Sequence, residues 1–418
     1  MLGLFYSYDN NSNGKVKNYY QMACDLDSGV GCFHLGLLYK QGVDVIANED
    51  KSNDLFEKSR NLLEKNCNFG KGENCYYLAK LNQNGYGEKS DPQNAISFYE
   101  KGCEFNEAES CASLGVMYIE NLNDNKNGFK YSEKACKLND SRGCYNLGVV
   151  YAFGKGVDRD LIKAENLWTD GCKLNEGMSC YMLASFFIKD EKLQRELYKN
   201  SEKSLLNSCN KSSALACTFL GNMYERGLGV NQNYLTATKF YEQACNLNSS
   251  DSCEMLGFLY NNSLGVKQDE RKAIEYWEKS CSLKNGSACF SVAKLYYSVF
   301  NNERKSLSFY KKSCDYNYGY GCFITGLAYK DDNKDELSRT TLNKAFQLFY
   351  DGCKADEEVD CYVLFEMYCE GYAVEKNMIK ASEYCEKSCK LGLEVACEEL
   401  KKLPQTPIIK KLKGKNLN

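Results

Sequence analysis

CYNLGVVYAFGKGVDRDLIKAENLWTDGC, residues 144 to 172, contains the pattern on which the rest of this chain is built. In its first half Cys144, Leu147, Gly148 and Tyr151 stand at i, i+3, i+4 and i+7, one face of an α-helix. The GKGV stretch that follows, Gly154 to Val157, carries glycines suited to a helix C-cap and turn. Ala164, Leu167 and Trp168 then mark a second apolar stripe. The stretch predicts a helical hairpin, a helix A followed by a helix B. The A face returns as Leu114, Gly115, Tyr118, as Leu220, Gly221, Tyr224 and as Leu256, Gly257, Tyr260; the B stripe returns as Ala273, Tyr276, Trp277. Glycine inside a helix costs about 1 kcal/mol relative to alanine. Ala79, Ala184 and Ala293 replace it in other units, so the position demands a small residue, where another helix presses close.

Cysteines punctuate the hairpins. They come in pairs: Cys24 with Cys32, Cys67 with Cys75, Cys103 with Cys111, Cys136 with Cys144, Cys172 with Cys180, Cys209 with Cys217, Cys245 with Cys253, Cys281 with Cys289, Cys314 with Cys322, Cys353 with Cys361 and Cys389 with Cys397. Half of the first members lie 36 residues apart and the others 33 to 43. A fixed period of this size marks a repeat array, and a lone hairpin cannot bury both its faces, so neighbours must stack. The 418-residue length exceeds the roughly 250–300 residues of a single core, and only three prolines, Pro92, Pro404 and Pro407, interrupt it. The expected fold is all-α: an α/α solenoid (superhelix) of disulfide-stapled helical hairpins, tetratricopeptide-like.

The first cysteine of a pair closes helix B and the second opens the next helix A. Two connectivities suit that geometry: a local bridge across the loop, or a bridge between the ends of one hairpin, such as Cys75 to Cys103. Local pairing uses all 22 of these cysteines, whereas hairpin pairing strands Cys24 and Cys397, so local bridges are expected. Cys369 and Cys385 remain, flanking the last turn, and are expected to form a twelfth bridge, a reactive thiol pair being the alternative. Metal binding is not expected: no C-x-x-C occurs and the one histidine, His34, stands without the close Cys/His spacing of zinc sites. It reads as a surface residue of helix A. No cofactor is expected. Disulfides on this scale belong to an oxidising compartment.

The motif C-YN-LG-VV-Y-AF-GKGV followed by KA-EN-LW resembles the Sel-1-like repeat, and the added C-x(7)-C spacing is similar to that of the Helicobacter cysteine-rich proteins. The resemblance implies a secreted or periplasmic, disulfide-bonded solenoid. It also implies weak β-lactam binding and hydrolysis, or service as an interaction scaffold. Asn121–Phe129 and Asp331–Thr341 lack the glycine turn, which leaves those turns undetermined. Leu2, Gly3 and Tyr6 fit L-G-x-x-Y, so the chain is expected to open inside a helix A, with an upstream segment and export signal lost before Met1. The expected organisation is a partial repeat over 1–31, ten repeats over 32–388, a capping helix over 389–404 and a loose basic tail over 405–418.

Function divides between scaffold and enzyme. Net charge is -3, from 53 basic and 56 acidic side chains, without the basic footprint of nucleic-acid binding. No apolar run is long enough for a transmembrane helix. The serine β-lactam motif S-x-x-K occurs at Ser12–Lys15, Ser291–Lys294 and Ser308–Lys311, the number chance gives in a chain this rich in both residues, and none has an S-D-N or K-T-G companion. No catalytic residues are assigned. Trp168 and Trp277 read as core packing. Counting from the helix A cysteine, offsets 1, 5 and 8 form a stripe beside the core that is expected to line a concave surface and take a protein or peptide partner. Offset 1 supplies Phe33, Tyr76, Tyr145, Tyr181, Phe290, Phe323 and Tyr362; offset 5 adds Lys80, Asn222 and Lys294. Tyr76, Tyr145 and Tyr181 are expected to stand partly exposed, with a shallow pocket at Ala112 where Lys80 meets a ligand carboxylate, a peptide terminus or the acid group of a β-lactam.

Overall fold

The computed structural model describes residues 15–120 and 124–402. The N-terminal turn expected over Leu2, Gly3 and Tyr6, the S-x-x-K serine Ser12, the start of the 121–129 turn and the tail 405–418 lie outside the described residues. Among those described, 22 helices occur and no strand. After Lys15–Asp25 they pair as ten hairpins: Gly29–Gln41 with Glu49–Asn68, Gly72–Asn84 with Pro92–Glu104, Ala108–Glu120 with Asn125–Lys137, Ser141–Phe153 with Leu161–Lys173, Gly177–Phe186 with Glu191–Asn210, Ala214–Arg226 with Tyr234–Asn246, Ser250–Asn261 with Glu270–Ser282, Gly286–Ser298 with Glu303–Asp315, Gly319–Asp331 with Asp335–Lys354 and Glu358–Glu370 with Met378–Leu391. Glu394–Lys402 closes the series. The fold is an α/α solenoid. Contacts group the chain into two units, Met1–Leu205 and Leu206–Asn418, which are described separately below.

Three of the seven residues between paired cysteines turn the chain from one helix into the next. In CKLNDSRGC, Leu138 caps the preceding helix. Asn139 turns the chain in the left-handed region at φ 61°, a conformation asparagine tolerates better than most residues. Asp140 then caps the next helix, its carboxylate accepting the Gly143 amide at 2.8 Å. CNLNSSDSC repeats the series with Leu247, Asn248 at φ 65° and Ser249.

Eleven disulfides span these loops, with Cα–Cα distances of 4.3 to 4.8 Å. Cys24 is joined to Cys32, Cys67 to Cys75, Cys103 to Cys111, Cys136 to Cys144, Cys172 to Cys180 and Cys209 to Cys217. The series continues with Cys245 to Cys253, Cys281 to Cys289, Cys314 to Cys322, Cys353 to Cys361 and Cys389 to Cys397. Every bridge is local, eight residues in span, and ties the end of one helix B to the first turn of the next helix.

In four hairpins the glycine of helix A receives an aromatic ring of helix B: Gly36 takes Phe56, Gly148 Trp168, Gly221 Tyr241 and Gly257 Trp277. A Cβ at Gly148 would lie 2.3 Å from the Trp168 indole, and one at Gly257 2.4 Å from that of Trp277. Both indole N–H groups donate to helix A carbonyls, Trp168 to Tyr145 at 3.2 Å and Trp277 to Glu254 at 3.0 Å. Between hairpins, lysines of helix B reach the last carbonyls of the preceding helix B. Lys134 donates to Cys103 O at 2.6 Å and Lys387 to Cys353 O at 2.6 Å, satisfying acceptors that a helix end leaves open.

Two expectations are corrected here. Cys369 and Cys385 are free thiols, not a twelfth bridge. Both belong to the apolar cluster around Phe365 and Tyr368, but the Cys385 thiol is turned to the closing helix and donates to Ala396 O at 3.2 Å. Burial pushes its pKa up to about 11, with Cys369 and Glu399 adding to the rise. Asp331–Thr341 is also regular: a short turn at Asp332–Lys334 leads directly into the 20-residue helix Asp335–Lys354.

Candidate interaction surface on the first helices

In the unit Met1–Leu205 the offset-1 rings pack inward. Phe33, Tyr76, Tyr145 and Tyr181 are 1%, 6%, 6% and 7% exposed, so the expected exposure is not met. The reason is the aromatic partner each finds on its own helix B: Phe33 lies 6.1 Å from Phe56, Tyr76 5.9 Å from Tyr99 and Tyr181 5.4 Å from Tyr198, while the Tyr145 carbonyl holds Trp168.

The expected pocket at Ala112 is closed as well. Ala112 is buried, and Asn146 Nδ2 donates to its carbonyl at 3.5 Å. Lys80 lies over the Tyr76 ring at 5.5 Å. Burial depresses its pKa, and Arg142 adds to the depression while Glu109 opposes it. The carboxylate that Lys80 faces is thus internal, Glu109 from the next repeat, which also lies 3.7 Å from Arg142.

His34 is corrected too. It is half-buried, stacked on Tyr20 with ring centroids 4.9 Å apart, and its Nε2 lies 3.2 Å from the Tyr77 hydroxyl. Burial lowers its pKa to about 4, with Lys80 contributing. Tyr20 and Tyr77 lie 14 and 43 residues away in sequence, so no local pattern points to the cluster.

In the unit Leu206–Asn418 the row is more open. Phe290, Phe323, Tyr362 and Asn222 are half-buried and Lys294 is exposed. Phe290 packs on Tyr310 at 5.2 Å and Tyr318 at 5.4 Å, Phe323 on Tyr372 at 5.5 Å and Tyr362 on Phe365 at 5.4 Å. Two carboxylates lie nearby, Glu366 one turn on from Tyr362 and Asp360 against Gly352 of the preceding helix. Asp360 is pushed up to about 6 by burial and then by Glu357, and burial raises Glu366. Both also bear on the Tyr320 phenol, which is pushed up to about 12 chiefly by burial. Neither has an ion-pair partner among the described residues. The sequence reading passed over this pair, although Glu366 stands at offset 5 of its repeat.

The S-x-x-K serine Ser308 is not set up as a nucleophile. Ser308 Oγ donates to its own helix at Lys305 O, 2.8 Å away, and Lys311 lies over the Tyr329 ring at 5.0 Å. No group of side chains capable of holding a metal occurs among the described residues, and no described helix is long and apolar enough to cross a membrane.

The Sel1 repeat model matches residues 29–62, 75–104, 108–140, 141–175, 214–249, 250–285, 286–321 and 360–393, more than half of the chain. The chain belongs to the Sel1 repeat family. The Sel1 matches pass over most of two hairpins, Gly177–Asn210 and Gly319–Lys354, in both of which a short turn leads into a 20-residue second helix. Among solved structures, Helicobacter pylori cysteine rich protein B is 34% identical over 31% of this chain and 93% of its own, with a TM-score of 0.24. A protective antigen of uropathogenic Escherichia coli with an SLR fold is 22% identical over 92% of this chain and 81% of its own, with a TM-score of 0.41. The cytochrome c oxidase assembly factor 7 homolog of Drosophila melanogaster is 29% identical over 124 residues, 27% of this chain, and the match spans 43% of that relative's length.

Proposed function

We propose that this Sel1 repeat protein is an exported scaffold that binds a protein or peptide partner along the first helices of its hairpins. The repeats over 32–388 carry the partner, with the partial repeat 1–31 before them and the capping helix 389–404 after them. The carrying observation is the row Phe290, Phe323 and Tyr362, half-buried rings fixed by neighbouring aromatics, with Glu366, which has no ion-pair partner among the described residues, one turn on from Tyr362. Rigid aromatics with a few polar groups suit a peptide. The eleven disulfides support residence in an oxidising compartment, secreted or periplasmic. Hydrolysis of β-lactams finds no support in the arrangement of serines and lysines.

Selection of a displayed random-peptide library against the full chain tests this reading. Selected peptides are expected to lose about 10- to 30-fold in affinity against Phe323→Ala or Tyr362→Ala, since aromatic anchors at an interface centre carry much of the binding. Peptides that bind both variants as well as the parent chain would place the interface elsewhere.

A further inference from the structure

We propose that the segment 403–418 of this chain docks on the aromatic and acidic first-helix face of the last two hairpins, residues 319–391, and occupies it in the absence of any other partner. Three observations carry this. The segment, LPQTPIIKKLKGKNLN, holds Lys410, Lys411, Lys413 and Lys415 and no acidic residue, with Ile408, Ile409 and Leu412 among them. The face offers the opposite character: the exposed Glu366 lacks an ion-pair partner among the described residues, and the rings of Tyr320, Phe323 and Tyr362 are only half-buried. Lys330 lies over the Tyr372 ring at 5.4 Å and Lys402 pairs with Glu399 at 2.8 Å. The described chain also ends at the right place, because Lys402 and Glu399 both act on the Tyr362 phenol.

Sixteen residues beyond Lys402 reach up to about 50 Å when extended, against roughly 8–10 Å between packed helices, so reach is not limiting. Ammonium groups favour carboxylates and aromatic faces, and the apolar residues of the segment suit the exposed ring edges. Each contact is weak. Tethering supplies an effective concentration on the order of millimolar, at which a millimolar intrinsic affinity already leaves about half the molecules docked.

The inference does not rest on the partner reading, because it is read without any partner. The full chain at low micromolar concentration is treated with a zero-length carbodiimide and digested. Intrachain amide links from Lys410, Lys411, Lys413 or Lys415 to Glu366 are expected. In limited proteolysis, trypsin is expected to cut at these lysines about twofold faster in a chain carrying Glu366→Gln than in the parent chain, as it would if about half the parent molecules were docked and Glu366 were needed for docking, with circular dichroism confirming an unchanged helix content. Equal cleavage rates, links that fall on other acidic residues, or links only between two copies of the chain would overturn the proposal.

Discussion

Gly148 shows how one missing methyl group sets a hairpin. Alanine there improves helix propensity by about 1 kcal/mol, but its Cβ would meet the Trp168 indole at 2.3 Å, and Trp168 has no exposed surface to move into. Overpacking of this kind costs about 1–3 kcal/mol. Gly148→Ala is therefore expected to lower stability by about 1 kcal/mol net, read as a lower urea midpoint with an unchanged slope. His34 makes a pH-dependent contribution. A free imidazole titrates near 6.5 and this one near 4. Between those values the unfolded chain holds a proton that the native chain does not, so stability rises with pH. The contribution is complete above about pH 6.5 and is lost as pH falls to about 4, up to about 3 kcal/mol in all. His34→Gln is expected to flatten the dependence of unfolding free energy on pH across that window; an unchanged slope would show that the ring is solvated.

At the scale of the element, the inter-hairpin loop combines a helix cap, a left-handed asparagine, an N-cap and a covalent staple in nine residues. Closing so short a loop is worth about 2.5 kcal/mol in the chain-entropy account of disulfides. Replacing both Cys245 and Cys253 by serine is expected to cost about that much and to leave the helix content of the folded chain unchanged. Alkylation of the denatured, unreduced chain is expected to label Cys369 and Cys385 alone, with peptide mapping joining every other cysteine to its partner eight residues away. A Cys75–Cys103 link would overturn the local scheme. The loops are legible in sequence because each task falls to a residue type with one strong local preference. The state of Cys369 and Cys385 is not legible there, because the closing helix Glu394–Lys402, which accepts the Cys385 thiol at Ala396, does not appear in the local spacing of the hairpin.

For the molecule as a whole, the proposed function draws on a row of side chains repeated on successive first helices. That row has two characters. In residues 16–205 its rings are spent on packing and its charges on one another, Lys80 and Arg142 with Glu109. In residues 206–402 its rings are half-open, and Asp360 and Glu366 stand without ion pairs among the described residues. A scaffold of this kind predicts no dedicated hydrolase. Nitrocefin is expected to turn over slowly if at all, and Ser291→Ala and Ser308→Ala are expected to leave the rate unchanged. A fast rate abolished by either substitution would make the protein an enzyme.

Period and spacing point to the hairpin, the repeat and the need for a small residue where another helix presses on helix A, and the count of cysteines favours the local pairing of 22 of them. All of these rest on contacts within about 36 residues, where the pattern is visible as letters. Which side of a half-buried stripe faces solvent emerges only from the packed molecule. Offset 1 reads the same at Tyr145 and at Tyr362, yet one is buried and the other half-open. His34 likewise reads as exposed until Tyr20 and Tyr77 close over it. Burial of a ring or an imidazole depends on what the neighbouring hairpins bring against it, and a period fixes where a side chain points without fixing what it meets.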